Sequence, residues 1–350
     1  MPLPYASMSD LELESQLVRI WESVLRRRGI GVHDSFWDLG GNSLTALRLM
    51  RRVERIAGEN LPITTLLQVP TISELAVLLR ESRGTKAGCS LVAIQPMGSK
   101  PPLFCVHAMG GLVVGFSSLA RHLGVDQPVY GLQAQGMDGK GKILSRVEDM
   151  AAHYLEEVRA VQPRGPYYFA GRCFGGWIAY EMAQQLLAEG EEVGLLALFD
   201  TYFVNWSRGA LMGKLFRLRP AEMVKIVVQK GRLWGRIVAE PVQHLFLPRA
   251  FRPVREGLRI AARDYVPRPY SGRITLFQAD EKSLRDSLDP KCGWEALASG
   301  RFEIEQVPGD HNSMFAEPQA AILAQQLRTC LEEVRGEAAS PGLAEGIKTA

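Results

Sequence analysis

The sequence predicts a small bundle of α-helices followed by a larger α/β domain, whose sheet is mainly parallel and which carries a helical insertion. Three observations lead to this prediction. Apolar residues recur at every third or fourth position across residues 9–81. The composition then turns to Gly, Ser, Lys and Pro over residues 82–101. Beyond that point, short apolar runs typical of buried strands alternate with amphipathic helical segments.

The composition limits the class of protein. The chain has 350 residues, 46% of them hydrophobic, which is enough to build two folded domains. Its net charge of +3 does not point to nucleic acid, and we expect no such partner. The five cysteines are scattered and show no C-x-x-C spacing, so neither a disulfide framework nor a metal site is expected. Without a signal peptide or an apolar run of about 18 residues, we expect a cytoplasmic protein that does not enter a membrane.

The first domain is predicted over residues 9–82. Its helical segments are SDLELESQLVRIWESVLRR, SLTALRLMRRVERIAG and TISELAVLLRES, each with apolar residues on one face. No strand-like run interrupts them. Residues 83–101 are predicted to form a linker to the second domain.

The segment FWDLGGNSLTALRLM, residues 36–50, contains the first candidate functional residue. Ser43 follows Gly-Gly-Asn and opens a predicted helix. Serine is preferred at helix N-caps, so capping alone would explain it. A helix N-terminus is also a favourable place for an anionic phosphodiester, and Gly40 and Gly41 leave room for a modifying enzyme.

The FWDLGGNSL motif resembles the 4′-phosphopantetheine attachment motif of carrier domains, and the resemblance extends over residues 9–82. The Gly-Gly-Asn-Ser-Leu form is closer to peptidyl carriers than to polyketide carriers. The resemblance implies that Ser43 holds 4′-phosphopantetheine covalently and that a phosphopantetheinyl transferase attaches it. It also implies that Leu44, Thr45 and Met50 lie on or near a helix that binds partner domains.

The second domain is predicted over residues 102–335. Its strand-like runs include PLFCVHA, PVYGLQA, YYFAG, EVGLLALFD and RITLFQAD, with helical segments between most of them. Residues 201–269 interrupt this alternation with helical sequence, and residues 205–265 hold 13 Lys and Arg against 4 Asp and Glu. Residues 336–350 are predicted to form a loose tail.

The segment GRCFGG, residues 171–176, lies between a predicted strand and a predicted helix. It matches the nucleophile-elbow pattern G-x-S-x-G of α/β-hydrolases, except that Cys173 occupies the serine position. We interpret Cys173 as a nucleophile and the N–H of Phe174 as one donor of an oxyanion hole. The alternative is a small buried cysteine without catalytic function.

A cysteine nucleophile needs a base and an orienting acid. His311 lies in VPGDHNSMF, a predicted loop between the last strand and the last helix, where the base of such an elbow is expected. Its alternative role is to cap the next helix. Two carboxylates close predicted strands, Asp200 and Asp280, and position alone leaves both open as the acid. Asp310 is expected to cap its loop.

The segments PLFCVHAMGG, GLQAQGMDG, GRCFGG, LLALFDTY and GDHNSMF resemble the thioesterase domains that end nonribosomal peptide synthetases, over about residues 90–335. The resemblance implies that Asp200 is the acid and that the N–H of Met109 is the second oxyanion donor. It implies that residues 201–269 form a helical lid over an acyl pocket. His107 is expected to brace the loop that carries Met109.

Together, the two resemblances imply a chain-terminating thioesterase. An acyl or peptidyl chain on the Ser43 arm would pass to Cys173 and leave by cyclisation or hydrolysis. The implied partners are the acyl substrate and upstream condensation and adenylation modules. A thioester on Cys173 would keep the chain activated, whereas serine would form a less reactive oxoester. The alternatives are a polyketide carrier–thioesterase and a non-catalytic docking module.

Overall fold

The computed structural model describes residues 8–57, 61, 63–81, 89–137, 142–203, 252–281 and 291–339. Most of the predicted lid, residues 204–251, lies outside the described residues. From the sequence we also predict that apolar residues of this lid line the acyl pocket, and these residues lie outside the described part as well: Leu211, Leu215, Phe216, Leu233 and Trp234. The same holds for residues 83–88 of the predicted linker and 340–350 of the predicted tail.

The N-terminal region is helical, with α1 at Asp10–Leu25, α2 at Ser43–Ala57, α3 at Thr65–Gln68 and α4 at Ile72–Glu81. Helix α1 begins with a capping box, in which Ser9 and Glu12 bond reciprocally to each other's backbone N–H. It buries one face through Leu13, Leu17, Trp21 and Val24. This spacing of three and four residues is what aligns side chains on one side of a helix.

The larger region is built on a sheet of seven strands within the described residues. They are β1 at Leu91–Gln95, β2 at Leu103–Val106, β3 at Val129–Leu132, β4 at Tyr167–Arg172, β5 at Val193–Phe199, β6 at Ile274–Ala279 and β7 at Phe302–Val307. The spatial order is β1-β3-β2-β4-β5-β6-β7. Every neighbouring pair is parallel except β1 and β3. The predicted mainly parallel sheet is thus confirmed.

Helices cover both faces of this sheet. They are α5 at Ser117–Leu123, α6 at Val147–Val161, α7 at Phe174–Ala188, α8 at Arg252–Asp264 and α9 at Gln319–Ala339. Helices α6, α7 and α8 pack on the face that holds Tyr167 and Phe169, whereas α5 and α9 pack on the face that holds Tyr168 and Ala170. Successive residues of β4 therefore pack into opposite cores, as strand geometry requires, and the turn that carries Cys173 follows a strand that is buried on both faces.

Two segments differ from the sequence-based expectation. Residues 91–95, inside the predicted linker, form the edge strand β1, whose residue Leu91 pairs with Leu132. The LVAIQ run is short, and the Gly, Ser and Pro residues around it are typical of a linker, so the sequence did not predict this strand. Helix α9 continues to Ala339, so the first residues of the predicted tail at 336–350 are helical.

The helical bundle contacts the larger domain at the segment that follows β2. Val114 is buried in the core of the bundle, and Leu112 packs against that core. Beside them, Arg121 Nη1 lies 2.6 Å from Asp38 Oδ1. The bundle therefore touches the same segment of chain that carries Met109.

In the described part of the chain, no helix is long and apolar enough to span a bilayer.

Candidate active site

Cys173 occupies a strained turn between β4 and α7. Its backbone has φ 54° and ψ −122°, a conformation that side-chain-bearing residues rarely adopt. The Cys173 N–H donates to the carbonyl of Phe199 at 3.0 Å, which ties the turn to the end of β5. A sharp strand–turn–helix of this kind presents the side chain at the carboxyl edge of the sheet.

Glycines around Cys173 allow the turn to pack against its neighbours. A Cβ on Gly175 would lie 2.1 Å from the carbonyl oxygen of His107, and one on Gly176 would lie 2.3 Å from Thr201 Oγ1. A Cβ on Gly171 would lie 2.5 Å from the Gly175 carbonyl oxygen. These contacts leave no space for a side chain, so the glycines let α7 approach β2 and β5 closely.

His311 and Asp200 form a hydrogen-bonded pair. His311 lies in the loop after β7, and its Nδ1 is 2.5 Å from Asp200 Oδ2. Asp200 directly follows β5 and is only 2% exposed. Its other oxygen, Oδ1, accepts hydrogen bonds from the Tyr202 hydroxyl at 2.9 Å and from the Ala279 N–H at 3.3 Å. These bonds satisfy a buried carboxylate and fix its orientation toward the imidazole.

The Cys173 thiol and the His311 imidazole interact, and each shifts the pKa of the other. Burial would raise the pKa of the Cys173 thiol, but the hydrogen bond and charge of His311, the N–H of Phe174 and the charge of Arg172 hold that pKa below its ordinary value. Burial would likewise lower the pKa of His311, yet its bonds to Asp200 and Cys173 raise it to about 9. Both directions favour a thiolate–imidazolium pair at neutral pH.

The other carboxylates near His311 have local structural bonds. Asp280 Oδ1 accepts the Gly309 N–H at 2.8 Å and thereby holds the turn after β7. Asp310 Oδ1 accepts the N–H groups of Asn312 and Ser313 at 2.9 and 2.8 Å, which caps the short 3₁₀ turn that follows. Of the two acids that position alone left open, it is Asp200 that lies against His311.

The loop after β2 is braced by His107. Since the Ala108 carbonyl can only accept, His107 Nδ1 carries the proton and donates to it at 2.7 Å, and Nε2 accepts from the Tyr154 hydroxyl at 2.9 Å. Full burial lowers the pKa of His107 to about 4, so its ring stays neutral. The bond to Ala108 fixes the peptide immediately before Met109.

Ser43 begins α2, directly after a tightly packed loop. A Cβ on Gly41 would lie 2.3 Å from the Phe36 ring, and the Gly41 N–H donates to the Phe36 carbonyl at 2.9 Å. The cap of α2 is Asn42, whose Oδ1 accepts the N–H groups of Leu44 and Thr45 at 3.0 and 3.1 Å. The capping function considered for Ser43 is therefore already supplied by its neighbour.

The surroundings of Ser43 fit a covalent phosphopantetheine arm. Gly40 has φ 90°, and a Cβ placed on it would meet nothing within 4 Å, so the backbone beside Ser43 is open. The first turn of α2 contains no acidic residue to repel a phosphodiester.

Three residues of the site were not singled out from the sequence. Arg172, Tyr202 and Tyr154 contact the His311 backbone, Asp200 and His107 respectively. Arg172 directly precedes Cys173, and Tyr202 lies two residues beyond Asp200, so nearness in sequence was the available signal. Tyr154 lies 47 residues from His107, and nothing local marked it.

Two known protein families match segments of this chain. Residues 101–330 match the thioesterase domain family, and residues 15–79 match the phosphopantetheine attachment site family. The first match covers well over half of the chain, so the chain belongs to the thioesterase domain family. It carries a phosphopantetheine-binding carrier domain ahead of an α/β-hydrolase-type thioesterase domain.

The similar proteins are nonribosomal peptide synthetases. Malpinin synthetase of Mortierella alpina is 35% identical over 319 residues, covering 90% of this chain and 4% of that protein. A probable non-canonical nonribosomal peptide synthetase, CymA of Salinispora arenicola, is 37% identical over 347 residues, covering 91% and 4%. A dimodular nonribosomal peptide synthase of Bacillus subtilis is 41% identical over 189 residues, covering 54% and 8%. The chain thus spans less than a tenth of each.

Two solved structures are similar to this chain, one over most of its length and one over the thioesterase domain. The four-domain nonribosomal peptide synthetase holo-AB3403, bound to AMP and glycine, matches with a TM-score of 0.56 and 25% identity, over 91% of this chain and 26% of that one. The NocB thioesterase domain from the nocardicin cluster matches with a TM-score of 0.51 and 27% identity, over 69% of this chain and 99% of that one. The α/β-hydrolase fold class predicted from the sequence is confirmed.

Proposed function

We propose that this chain is the releasing end of a nonribosomal peptide synthetase, and that Cys173, His311 and Asp200 are its catalytic triad. The observation that carries the proposal is the 2.5 Å hydrogen bond between His311 Nδ1 and Asp200 Oδ2, with the same His311 acting on the Cys173 thiol at a nucleophile elbow. Ser43 is the proposed attachment residue of the carrier domain. The proposed limits of the carrier are residues 9–82. Since β1 belongs to the sheet and α9 continues to Ala339, the proposed thioesterase domain is wider than the 102–335 predicted from the sequence and spans residues 91–339.

The first step loads the chain onto Cys173. The phosphopantetheine arm, when attached, supplies a thiol that presents the acyl chain as a thioester. The Cys173 thiolate attacks the acyl carbon, the bond from that carbon to the carrier sulfur breaks, and His311 gives its Nε2 proton to the leaving sulfur. Negative charge on the carbonyl oxygen is stabilised by the N–H groups of Phe174 and Met109.

The second step releases the chain. Neutral His311 removes a proton from the attacking hydroxyl, amine or water, which bonds to the acyl carbon as the bond to Cys173 Sγ breaks. The sulfur leaves as a thiolate and His311 holds the proton, so the starting ion pair is restored. Asp200 stabilises the imidazolium and keeps its Nδ1 proton directed away from Cys173.

A cysteine nucleophile favours release by a demanding acceptor. Exchange of one thioester for another is close to thermoneutral, so the chain on Cys173 keeps its activation, whereas a serine ester would lose part of it. We therefore propose release by cyclisation, to a lactone, lactam or oligomeric ring, with hydrolysis as the competing outcome. If Cys173→Ser gave the same product in the same ratio of ring to acid, this part of the proposal would fail.

Partners follow from the same proposal. A phosphopantetheinyl transferase would modify Ser43, and upstream condensation and adenylation modules would deliver the acyl or peptidyl chain. We propose that the protein acts in the cytoplasm, where the reducing environment keeps a nucleophilic thiol such as that of Cys173 reduced.

Intact-protein mass spectrometry tests the proposal directly. The full chain is treated with a phosphopantetheinyl transferase and an acyl-coenzyme A, as wild type, Ser43→Ala and Cys173→Ala. We expect the wild type to gain the acyl-pantetheine mass and lose the acyl group with time. Ser43→Ala should gain nothing, and Cys173→Ala should stay loaded. Labelling of Ser43→Ala, or release by Cys173→Ala at the wild-type rate, would refute the corresponding assignment.

A further inference from the structure

Arg172 links the nucleophile strand to the segment that carries the base. It is the last residue of β4, directly before Cys173. Its Nη2 donates to the carbonyl oxygen of His311 at 2.8 Å and to Asn312 Oδ1 at 3.3 Å. Its guanidinium carbon lies 4.7 Å from the centre of the Phe315 ring. All three partners lie on one stretch of chain, residues 311–315. Its first residue, His311, is 139 positions beyond Arg172 in the sequence.

These contacts fix the backbone from which the His311 ring extends. The accepting carbonyl belongs to His311 itself, so the bond restrains the peptide next to the Cα that carries the imidazole. The planar guanidinium suits this geometry, because it can donate hydrogen bonds in its plane while its face lies over an aromatic ring. A change in the position of His311 relative to Cys173 of even 1 Å would be costly to catalysis.

The charge of Arg172 also acts on both reactive groups. It lowers the pKa of Cys173 and lowers the pKa of His311, whereas Asp200 and the Cys173 thiolate raise that of His311. Asp310 is the remaining acidic group whose charge acts on Arg172, together with Asp200 and Cys173. The guanidinium therefore favours an ionised sulfur and an unprotonated imidazole.

We propose that Arg172 is a positioning residue that holds the His311 segment against the nucleophile strand and whose charge serves both steps of release. This inference rests on the proposed function of Cys173. Before acylation, the thiolate and Arg172 stabilise each other. After acylation the thiolate is gone, and with it one of the two partners, beside Asp200, whose interactions keep His311 protonated. The Arg172 charge remains and favours neutral His311, the form that can take a proton from the second nucleophile.

The thiolate part is tested without substrate. The rate of alkylation of Cys173 by iodoacetamide is followed against pH in the full chain and read by peptide mass spectrometry, which separates Cys173 from the other cysteines. We expect Arg172→Met to move the midpoint up by about half to one pH unit, which is about a 3- to 10-fold slower reaction below the midpoint. Arg172→Lys keeps the positive charge but loses the planar set of N–H donors of the guanidinium. Its alkylation midpoint should therefore lie between those of the wild type and Arg172→Met.

Arg335 provides a matched control. Its Nη2 donates to the Pro101 carbonyl at 3.1 Å and to Gln127 Oε1 at 2.8 Å, and its guanidinium lies 5.0 Å from the centre of the Tyr168 ring. Arg335→Met thus removes the same kind of contacts away from Cys173. We expect it to leave the alkylation midpoint unchanged. An unshifted midpoint in Arg172→Met, or an equal shift in Arg335→Met, would overturn the inference.

The second step has its own readout. Acyl-Cys173 is formed in a single turnover, and its loss is followed against pH. Without the Arg172 charge, His311 in the acyl-enzyme should hold its proton to higher pH. The rise in the rate of acyl-Cys173 loss with pH should therefore occur at higher pH in Arg172→Met than in the wild type. A rise at the wild-type position would contradict the proposed effect on release. The proposed function fails by a different result, namely release by Cys173→Ala at the wild-type rate. That result would not affect the alkylation measurement, so the two failures can be told apart.

Discussion

Asp200 Oδ2 lies 2.5 Å from His311 Nδ1, although the two residues are 111 positions apart in the sequence. The sheet brings them together, because Asp200 follows β5 and His311 follows β7, with β6 between them. Parallel strands place their carboxyl ends at one edge, so both residues reach the turn at the end of β4. The carboxylate that is hydrogen-bonded to His311 thus follows β5, the strand next to β4.

The two candidate acids can be separated by substitution. We expect Asp200→Asn to slow release by a factor on the order of 10²–10⁴, because the imidazolium loses its charged partner and His311 loses its preferred tautomer. Asp280→Asn should have a much smaller effect, since Asp280 accepts a single backbone N–H in a turn. Single-turnover release of acyl-Cys173 measures both. A larger loss in Asp280→Asn would assign the acid to the later strand.

The loading step should decline at high pH. The pKa of His311 is raised from its ordinary 6.5 to about 9, so its proton is retained at neutral pH and lost as the pH rises through about 9. Loading uses that proton for the leaving sulfur, and its rate should fall over the same interval. The measurement is the pre-steady-state formation of acyl-Cys173 between about pH 6 and 10.

Cys173→Ser provides the matched control for this pH profile. The hydroxyl does not ionise, so His311 loses the thiolate that raises its pKa and must act as a base from the start. Its loading rate should rise with pH through a lower midpoint instead of falling near 9. A falling profile in Cys173→Ser would show that the decline does not depend on the thiolate.

Because α7 packs closely on β2, we expect alanine substitution to reduce stability much more at one glycine near the site than at another. Gly175→Ala places a Cβ 2.1 Å from the His107 carbonyl oxygen, so backbone must move, and we expect a loss in the free energy of unfolding of about 1–3 kcal/mol or more. Gly110→Ala meets nothing within 4 Å and should change stability by about 0.5 kcal/mol or less. Denaturant unfolding of both variants checks this, and equal losses would contradict the packing argument.

The sequence predicted the parts of this site that depend on local pattern. The glycines around Cys173, the apolar run before Asp200 and the FEIEQV segment before His311 indicate strand ends and a tight turn without any knowledge of the fold. Position alone could not choose between Asp200 and Asp280, because both close a strand and the choice depends on loop conformation. The Arg172–His311 bond and the strand at residues 91–95 depend on contacts distant in sequence, which no local pattern encodes.

His107 should contribute to release without titrating. Burial lowers the pKa of His107 to about 4, so its ring stays neutral between about pH 6 and 9 and holds the Ala108 peptide through Nδ1. We expect His107→Ala to lower the single-turnover rate by 10-fold or more, since one oxyanion donor is typically worth about 10²–10³ and Met109 would be less well placed. The pH midpoints should remain those of the wild type.

Tyr154→Phe separates stability from chemistry at the same position. It removes the hydroxyl that donates to His107 Nε2 at 2.9 Å and leaves a buried acceptor unsatisfied, which costs about 1–3 kcal/mol in the free energy of unfolding. The bond from His107 Nδ1 to Ala108 remains in this variant, so release should slow less than in His107→Ala. The contradicting outcome has two parts: Tyr154→Phe slows release as much as His107→Ala does, and its denaturant midpoint of unfolding equals that of the wild type. In that case His107 would act through Tyr154 and not through the loop that carries Met109.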